Sequence, residues 1–306
     1  MKRKLQAFYY HLLKFKNKIL HGSPVLVLMY HRISDEYNKE NKFLTVSLSD
    51  FEEQLQYFKK HFEILRLNQN WNNKKPAVIL TFDDGYADNL YNALPLLEKY
   101  NIPATIFVCT QNIGTMEEFW WDKLINIYNN LGDEFWYQEE TCYKSNKSVQ
   151  HILSDIYYKS NEDKDLIFND LIHKNKINYT NRDAFRSLTI QELQQLEQHN
   201  LIDIGLHSHE HLPMKFMKLD EQISVFKQAE NELKKVCENY IPYFAIPHGT
   251  RNEHTLAALN QTNLEGVLMA NNYYTNKVKK KTKIISRILM PSIAGNKVKK
   301  YLAKYL

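Results

Sequence analysis

The stretch AVILTFDDGYADN, Ala77 to Asn89, joins an apolar run directly to two adjacent carboxylates. A continuously apolar run of this kind is typical of a β-strand that is covered on both faces. The carboxylates of Asp83 and Asp84 repel each other, and the end of a buried strand offers them little water. A nearby cation must compensate these charges, and a bound metal ion is the obvious candidate.

Further apolar runs along the chain alternate with helical patterns. Predicted strands include PVLVLMYHRI (24–33), ATIFVC (104–109), LIDIGL (201–206) and EGVLMA (265–270). Amphipathic stretches such as TIQELQQLEQHN separate some of them, and strands that alternate with helices indicate βα units around parallel strands. The polar segment 115–188 interrupts this alternation, and we interpret it as a helical insertion.

A histidine pair follows the predicted strand LIDIGL. His207 and His211 lie four residues apart in IGLHSHEHLPM, so both imidazoles can reach one ion from a helical or turn-like backbone. Groups that follow parallel strands converge at the carboxyl ends of those strands. Two imidazoles and one carboxylate would leave coordination positions open, which is typical of a catalytic rather than a structural zinc site. The zincin motif H-E-x-x-H is excluded, because Pro213 stands where its second histidine would be.

The motifs TFDDGY and HSHEH resemble the first two signature motifs of the polysaccharide deacetylase family, which is carbohydrate esterase family 4 with its NodB-like domain. The flanking stretches NIPATIFV and LTIQEL…LIDIGLHS resemble that family too, and the resemblance covers residues 24–115 and 188–291. It implies an α/β fold, a distorted (β/α) barrel of about seven parallel strands, here with the helical insertion. It also implies a metal-dependent hydrolase of acetyl groups on sugars.

The resemblance further implies roles for the motif residues. Asp83 would be the catalytic base, and Asp84 would bind the metal ion together with His207 and His211. One divalent ion is expected as cofactor, with zinc the first choice and cobalt, nickel or iron also suited to these ligands.

The chain departs from the family pattern in two places. Ala245 stands where the family often has an arginine that orients the base, and no histidine follows His254 to act as the general acid. We therefore expect the base to lack its arginine partner. His31, at a predicted strand end in LMYHRI, is our choice for the acid, because a related branch that deacetylates exopolysaccharides has a similar N-terminal Tyr-His. A purely structural His31 is the alternative, and His248 is the second candidate acid.

Two stretches are expected to contact the substrate. Trp120 and Trp121 in EEFWWDKL could stack on sugar rings, with Asp122 hydrogen-bonded to a hydroxyl group. Pro247 and His248 in FAIPHG could line the sugar groove. At least one tryptophan could instead belong to the core of the insertion.

Charge divides the chain into a body and two basic ends. We interpret 1–23 as a basic amphipathic N-terminal segment, 24–291 as the catalytic domain and 292–306 as a basic C-terminal segment. The first 20 residues contain six Lys/Arg and residues 277–306 contain ten, with no acidic residue in either stretch.

Both ends also have apolar residues at helical spacing, which in the C-terminal segment are Val298, Tyr301, Leu302 and Tyr305. Basic amphipathic helices of this kind lie on anionic membranes, so peripheral membrane contact is one expectation. Docking of the same apolar faces on the barrel is the other.

The remaining features favour a soluble, cytoplasmic protein. No apolar stretch reaches the ~18 residues of a membrane span, and the N-terminus lacks the apolar core and cleavage site of a signal peptide. Cys109, Cys142 and Cys237 are widely separated, which is typical of free thiols in a reducing compartment. No nucleic-acid partner is expected.

The sequence thus predicts an N-deacetylase acting on an acetylated amino sugar of a surface polysaccharide or glycolipid precursor. An O-acetyl esterase or a cyclic-amide hydrolase could use the same site. Two histidines and a carboxylate are also the ligands of non-haem Fe(II) oxygenases, although those enzymes need no base such as Asp83. A catalytically inactive carbohydrate-binding protein is the third alternative, because of the two departures.

Overall fold

The strands of the protein follow the predicted alternation with helices. The computed structural model describes residues 23–272 and 283–306. In chain order, its strands are β1 (Val25–Tyr30), β2 (Arg32–Ile33), β3 (Thr45–Val46), β4 (Glu63–Ile64), β5 (Ala77–Phe82), β6 (Ala104–Val108), β7 (Glu134–Tyr137), β8 (Glu140–Tyr143), β9 (Ile202–Leu206), β10 (Tyr243–Ala245), β11 (Gly266–Met269), β12 (Ile284–Ser286) and β13 (Ile288–Leu289).

The helices connect these strands or extend from them. They are α1 (Leu48–His61), α2 (Leu94–Tyr100), α3 (Trp120–Asn129), α4 (Val149–Ile156), α5 (Asn161–Lys174), α6 (Ile190–Glu197), α7 (Leu219–Leu233), α8 (Thr255–Leu259) and α9 (Asn296–Leu302). Helix α6 begins at a capping box of Thr189 and Glu192.

Parallel strands curve into a nearly closed barrel. They are hydrogen-bonded in the order β12-β11-β10-β9-β6-β5-β1-β13, and β4 pairs with the start of β5. Because β12 and β13 are two halves of one extended stretch, the eight segments of this series fill seven positions. The predicted barrel of about seven parallel strands is confirmed.

The last strand closes the barrel by changing its neighbour part-way along. Its first half, β12, pairs with β11, and its second half, β13, pairs with β1. Arg287 is the single residue between the two halves, and its backbone N–H donates to Met269 O at 2.9 Å. The Arg287 side chain is fully buried.

Alternate residues of the central strands face two different cores. Val25 and Val27 of β1 pack with Ile79 of β5 inside the barrel. Leu26 and Leu28 face the opposite side, where they join the cluster that the surrounding helices cover. Every residue of β1 and β5 is buried, as expected for parallel strands between two apolar layers.

The segment predicted as a helical insertion contains helices α3, α4 and α5, and its apolar side chains form a separate cluster. It also contains an antiparallel hairpin, β7–β8, that the sequence did not predict. The hairpin turns at Gln138 and Glu139, which have φ angles of 49° and 65°. Two-residue turns with two positive φ angles favour Asn and Gly, so Gln-Glu gave no turn signal.

The C-terminal helix docks on the barrel, which corrects the expectation that its apolar face meets a membrane. Val298 and Leu302 are fully buried in the main core, and the Tyr301 hydroxyl donates to Leu289 O at 2.7 Å. Residues 1–22, on which the N-terminal expectation falls, lie outside the described residues. Within the described ranges, no helix has the length and apolarity required to cross a bilayer.

Leu302→Ala tests this docking. It removes a fully buried side chain, so we expect the free energy of unfolding to fall by about 2–5 kcal/mol. Leu166→Ala on α5 is the matched control, because Leu166 is 68% exposed and its loss should stay within about 0.5 kcal/mol. Urea denaturation measures both. Equal losses would mean that α9 does not pack on the barrel.

Candidate active site

The candidate site is built at the carboxyl ends of the barrel strands, where their connecting turns meet. Asp83 and Asp84 follow β5 directly, and His207 follows β9. The backbone turns sharply at Asp84 (φ 77°) and at His211 (φ 57°). Left-handed conformations of non-glycine residues cost roughly 1–3 kcal/mol and cluster at functional sites. These turns aim both side chains at one point.

Three side-chain atoms form a compact triangle at that point. Asp84 Oδ1 lies 3.2 Å from His207 Nε2 and 3.3 Å from His211 Nε2, and the two Nε2 atoms are 3.2 Å apart. All three residues are buried. A tetrahedral ion with bonds of about 2.0–2.1 Å separates its ligands by about 3.3 Å, so the triangle fits a divalent ion such as zinc.

The hydrogen bonds around the triangle support the same interpretation. His207 Nδ1 lies 2.8 Å from Ala245 O, so Nδ1–H donates to this carbonyl and Nε2 stays free to bind an ion. Asp84 Oδ1 is buried without a hydrogen-bond partner among the described residues. Burial acts to raise the pKa of Asp84, but the adjacent imidazoles of His207 and His211 outweigh it and hold this pKa well below its ordinary value. A buried, unpaired, ionised oxygen between two imidazoles calls for a cation.

Asp83 has an arginine partner, which corrects the expectation drawn from Ala245. Arg287 Nη1 and Nη2 donate to the two carboxylate oxygens of Asp83, each at 2.6 Å, and both side chains are buried. Burial alone would raise the pKa of Asp83, but the Arg287 guanidinium reverses this effect and the pKa lies below its ordinary value. Asp83 is therefore fixed in orientation and ionised.

Arg287 is the site residue that sequence reasoning missed. A signal was present, because an arginine interrupts the apolar run IISRILM. A charged side chain that is buried between two strand segments requires a buried counter-ion, and Asp83 is that anion.

A cavity of about 620 Å³ opens over these groups. Asp83, Asp84, His207 and His211 line its floor, and His31 lies beside them. This volume falls within the range of about 300–1,000 Å³ that is usual for small-molecule sites.

Both histidines that were considered as the acid line the cavity. His31 follows β1, and its Nδ1 is buried without a hydrogen-bond partner in the described part of the chain. Burial lowers the pKa of His31, while the carboxylates of Asp84 and Asp83 oppose that effect. Burial also lowers the pKa of His248, to about 2, with help from the neighbouring His211 and His207. His248 is therefore neutral at physiological pH.

The structure places the expected substrate residues differently: the two tryptophans line the cavity, whereas Pro247 and Asp122 are buried. Trp120 and Trp121 line the cavity, and the Trp121 ring packs 4.8 Å from the His211 ring. Pro247 is buried in the turn that precedes His248.

Asp122 is not available to a sugar hydroxyl group, which corrects that expectation. It is 1% exposed and accepts hydrogen bonds from Asn38 (2.6 Å), Asn41 (2.8 Å) and Tyr86 (2.6 Å). Asp122 therefore stabilises the packing of α3 at the start of the insertion. The Tyr86 hydroxyl in turn accepts from Trp121 Nε1 at 2.8 Å, so Asp122 fixes this tryptophan indirectly.

The fold and the site together define a class, a parallel (β/α) barrel with a buried Asp-His-His centre beside an arginine-held carboxylate. Residues 70–267 match the family model described as polysaccharide deacetylase. Since this match covers more than half of the chain, the chain belongs to the polysaccharide deacetylase family, as the motifs predict.

Individual relatives agree with this family. A poly-beta-1,6-N-acetyl-D-glucosamine N-deacetylase of Staphylococcus aureus (strain MSSA476) is 33% identical over 110 residues, with 30% of this chain and 38% of that protein covered. The chain spans about a third of the length of the curated relatives it matches.

Solved structures share the fold. The Streptococcus pyogenes deacetylase PplD in complex with acetate has a TM-score of 0.59 at 20% identity, with 92% of this chain and 98% of that chain covered. IcaB from Ammonifex degensii has a TM-score of 0.58 at 15% identity, with coverage of 93% and 98%.

The ligand assignment can be tested by metal content. We expect Asp84→Ala, His207→Ala and His211→Ala each to abolish stoichiometric zinc binding, because each removes one corner of the triangle. His209→Ala is the matched control and should keep the metal, since its Nδ1 lies 2.9 Å from Thr110 Oγ1 and the side chain is engaged there. Elemental analysis after gel filtration measures the stoichiometry. Complete loss of zinc from His209→Ala would show the assignment to be wrong.

Proposed function

We propose that this protein is a metal-dependent deacetylase that hydrolyses the N-acetyl group of an amino sugar in a surface polysaccharide or glycolipid precursor. The observation that carries this proposal is the position of the Asp84–His207–His211 triangle next to the Arg287-held Asp83 on the floor of one cavity. Membership of the polysaccharide deacetylase family supports it. The activity for which the Staphylococcus aureus relative is named, N-deacetylation of poly-beta-1,6-N-acetyl-D-glucosamine, supports N-acetylglucosamine as the first sugar to test.

The proposed reaction begins with activation of water. A divalent ion bound by Asp84, His207 and His211, zinc in our proposal, would lower the pKa of a water molecule toward about 7 and polarise the acetyl carbonyl. Asp83 accepts the proton of the attacking water. The Arg287 guanidinium keeps Asp83 ionised and in position, since it holds both carboxylate oxygens at 2.6 Å.

Amide hydrolysis also needs a proton for the departing nitrogen. We assign this step to His31, which borders the cavity and has an unpartnered Nδ1 within the described ranges. His248 is the poorer donor, because burial and the neighbouring His211 and His207 lower its pKa to about 2, whereas two carboxylates oppose the effect of burial on the pKa of His31. We assign His248 to the cavity wall instead.

One experiment separates the proposal from four other interpretations of the site. The purified protein, both as isolated and after zinc loading, is incubated with N-acetylglucosamine oligomers, O-acetylated sugars, cyclic amides and 2-oxoglutarate. Acetate, ring opening, 2-oxoglutarate turnover, sugar binding and metal content are measured. Acetate from the N-acetylated sugar with one bound zinc supports the proposal. Release from O-acetyl substrates alone indicates an esterase, and ring opening alone a cyclic-amide hydrolase. Bound iron with 2-oxoglutarate turnover indicates an oxygenase. Sugar binding without any product indicates an inactive binding protein, although Arg287 removes one of the two reasons for that reading.

Asp83→Asn tests the base. The variant should keep its zinc, because Asp83 is not a corner of the triangle, and it should lose at least about 10²-fold in kcat, the contribution of a positioned base. Acetate release and metal content are measured on the same sample. A variant that keeps a tenth of the wild-type rate would remove Asp83 from this role.

His31→Ala tests the acid by comparing two leaving groups. It should slow hydrolysis of N-acetyl substrates by about 10²-fold or more, and it should slow activated aryl acetates much less, because a phenolate leaves without a proton. The ratio of the two kcat/KM values is the measurement, and it does not depend on the amount of active enzyme. A His31→Ala variant with equal losses on both substrates would indicate a structural role.

A further inference from the structure

The two histidines of the triangle are held in different ways. His207 is oriented by a polar contact with the barrel, because its Nδ1 lies 2.8 Å from Ala245 O. The Nδ1 atom of His211 is buried and has no hydrogen-bond partner among the described residues. A histidine that binds a metal ion usually donates its second ring N–H to a carboxylate, a carbonyl or a water molecule. Within the described chain, the orientation of His211 therefore depends on contacts with its ring and with its backbone.

The insertion supplies a contact with the ring. Trp121, in the first turn of α3, has its ring centroid 4.8 Å from that of the His211 imidazole, with an angle of 52° between the planes. The indole is itself fixed, because its Nε1 donates to the Tyr86 hydroxyl at 2.8 Å and the Phe119 ring stacks on it at 5.0 Å. Rings with centroids about 4.5–7 Å apart attract each other, so Trp121 restricts rotation of the imidazole.

The turn that leads to His211 has a strained backbone. Ser208 and His211 adopt positive φ angles of 65° and 57°, and such angles persist only where the surroundings enforce them. Two backbone N–H groups shortly after β6 hold the first half of the turn. Thr110 N donates to Ser208 O at 3.3 Å, and Gln111 N donates to His209 O at 3.1 Å. The barrel therefore enforces the first half of this turn.

The insertion holds the second half of the turn. Asn161, the first residue of α5, donates from Nδ2 to Glu210 O at 3.2 Å, and this carbonyl group directly precedes His211. The same nitrogen donates to Gln111 Oε1 at 2.5 Å, so Asn161 also reaches the segment that holds the first half. The Ser160 hydroxyl caps α5 and fixes its first turn. The insertion thus contacts His211 through a ring on α3 and through the backbone from α5.

We propose that the insertion is part of the metal site, in which Trp121 and Asn161 position the imidazole of His211 for the ion. This inference rests on the divalent ion of the proposed function, and it assigns the insertion a role in binding that ion. Both residues act through His211 and are positioning residues. Asp84 and His207 lie within two residues of the ends of β5 and β9, so the barrel itself holds these two corners of the triangle.

Zinc affinity tests the ring contact. The Kd for zinc is measured on the full-length protein by competition with a chromophoric chelator. Trp121→Ala should raise this Kd by about 10- to 100-fold, as the loss of a residue that supports a metal ligand usually does. Trp121→Phe keeps a ring against the imidazole and should recover most of the affinity. Trp136→Ala is the matched control and should leave the Kd unchanged, because it removes a tryptophan of the same insertion that lies on β7 beside Lys174.

Asn161→Ala tests the backbone contact in the same way. It should raise the Kd for zinc by about 10-fold, while Asn169→Ala, on the exposed face of the same helix, should not change it. Visible absorption of the Co(II)-substituted protein is the second readout, because its bands report the geometry of the ligands. The bands should change in Trp121→Ala and in Asn161→Ala. A loss of stability alone would leave the spectrum of the folded, loaded protein unchanged.

Metal binding and acetate release separate failure of this inference from failure of the proposed function. A wild type that binds zinc more tightly than Trp121→Ala and Asn161→Ala, but releases no acetate, would contradict the deacetylase proposal and support the role of the insertion. Unchanged zinc affinity and Co(II) spectra in both variants, or equal changes in the variants and their controls, would overturn that role and leave the deacetylase proposal standing. A wild type that binds no zinc would overturn both.

Discussion

The buried ion pair between Arg287 and Asp83 is the contact on which the rest of the site depends. Asp83 and Asp84 are adjacent, buried anions, and each needs its own positive partner. Arg287 neutralises Asp83 with two hydrogen bonds of 2.6 Å, which leaves Asp84 free to face the two imidazoles. Removal of one partner from a buried pair costs about 3–5 kcal/mol. The same residue separates β12 from β13, so closure of the barrel and orientation of the Asp83 carboxylate depend on a single position.

The turns above the barrel show how such a site is maintained. Asp84, Ser208, His211 and His248 all adopt positive φ angles, although none is a glycine. Conformations of this kind persist only where surrounding structure enforces them. Here the enforcement comes from the preceding strands, which are buried in the barrel wall, and from contacts such as the hydrogen bond from His211 N to Ser208 Oγ at 2.9 Å. The buried strands and the strained turns that follow them together orient the side chains of Asp84 and His211 towards one point.

The sequence predicted the parts of the site that are local. The strand end before Asp83 and the four-residue spacing of the two histidines indicated parallel strands and a possible metal site. The resemblance to the polysaccharide deacetylase family implied the barrel and the assignment of Asp84 to the metal ion. The Arg287–Asp83 contact joins positions 204 residues apart, and no local pattern encodes such a pair. Amphipathic spacing in 292–306 predicted an apolar face, but spacing alone could not show whether that face contacts a lipid surface or the barrel. The role of Asp122 was wrong because the three donors that enclose it come from Asn38, Asn41 and Tyr86, which are remote in the chain.

The position of Arg287 also orders events during synthesis. A nascent chain that has left the ribosome up to Met269 already contains Asp84, His207 and His211, and therefore every corner of the metal triangle. It lacks the strand that pairs with both β11 and β1, and it lacks the guanidinium that fixes Asp83. The Asp83 carboxylate is therefore oriented only when the final strand pairs with both of its neighbours, although the residues of the triangle precede that strand in the chain.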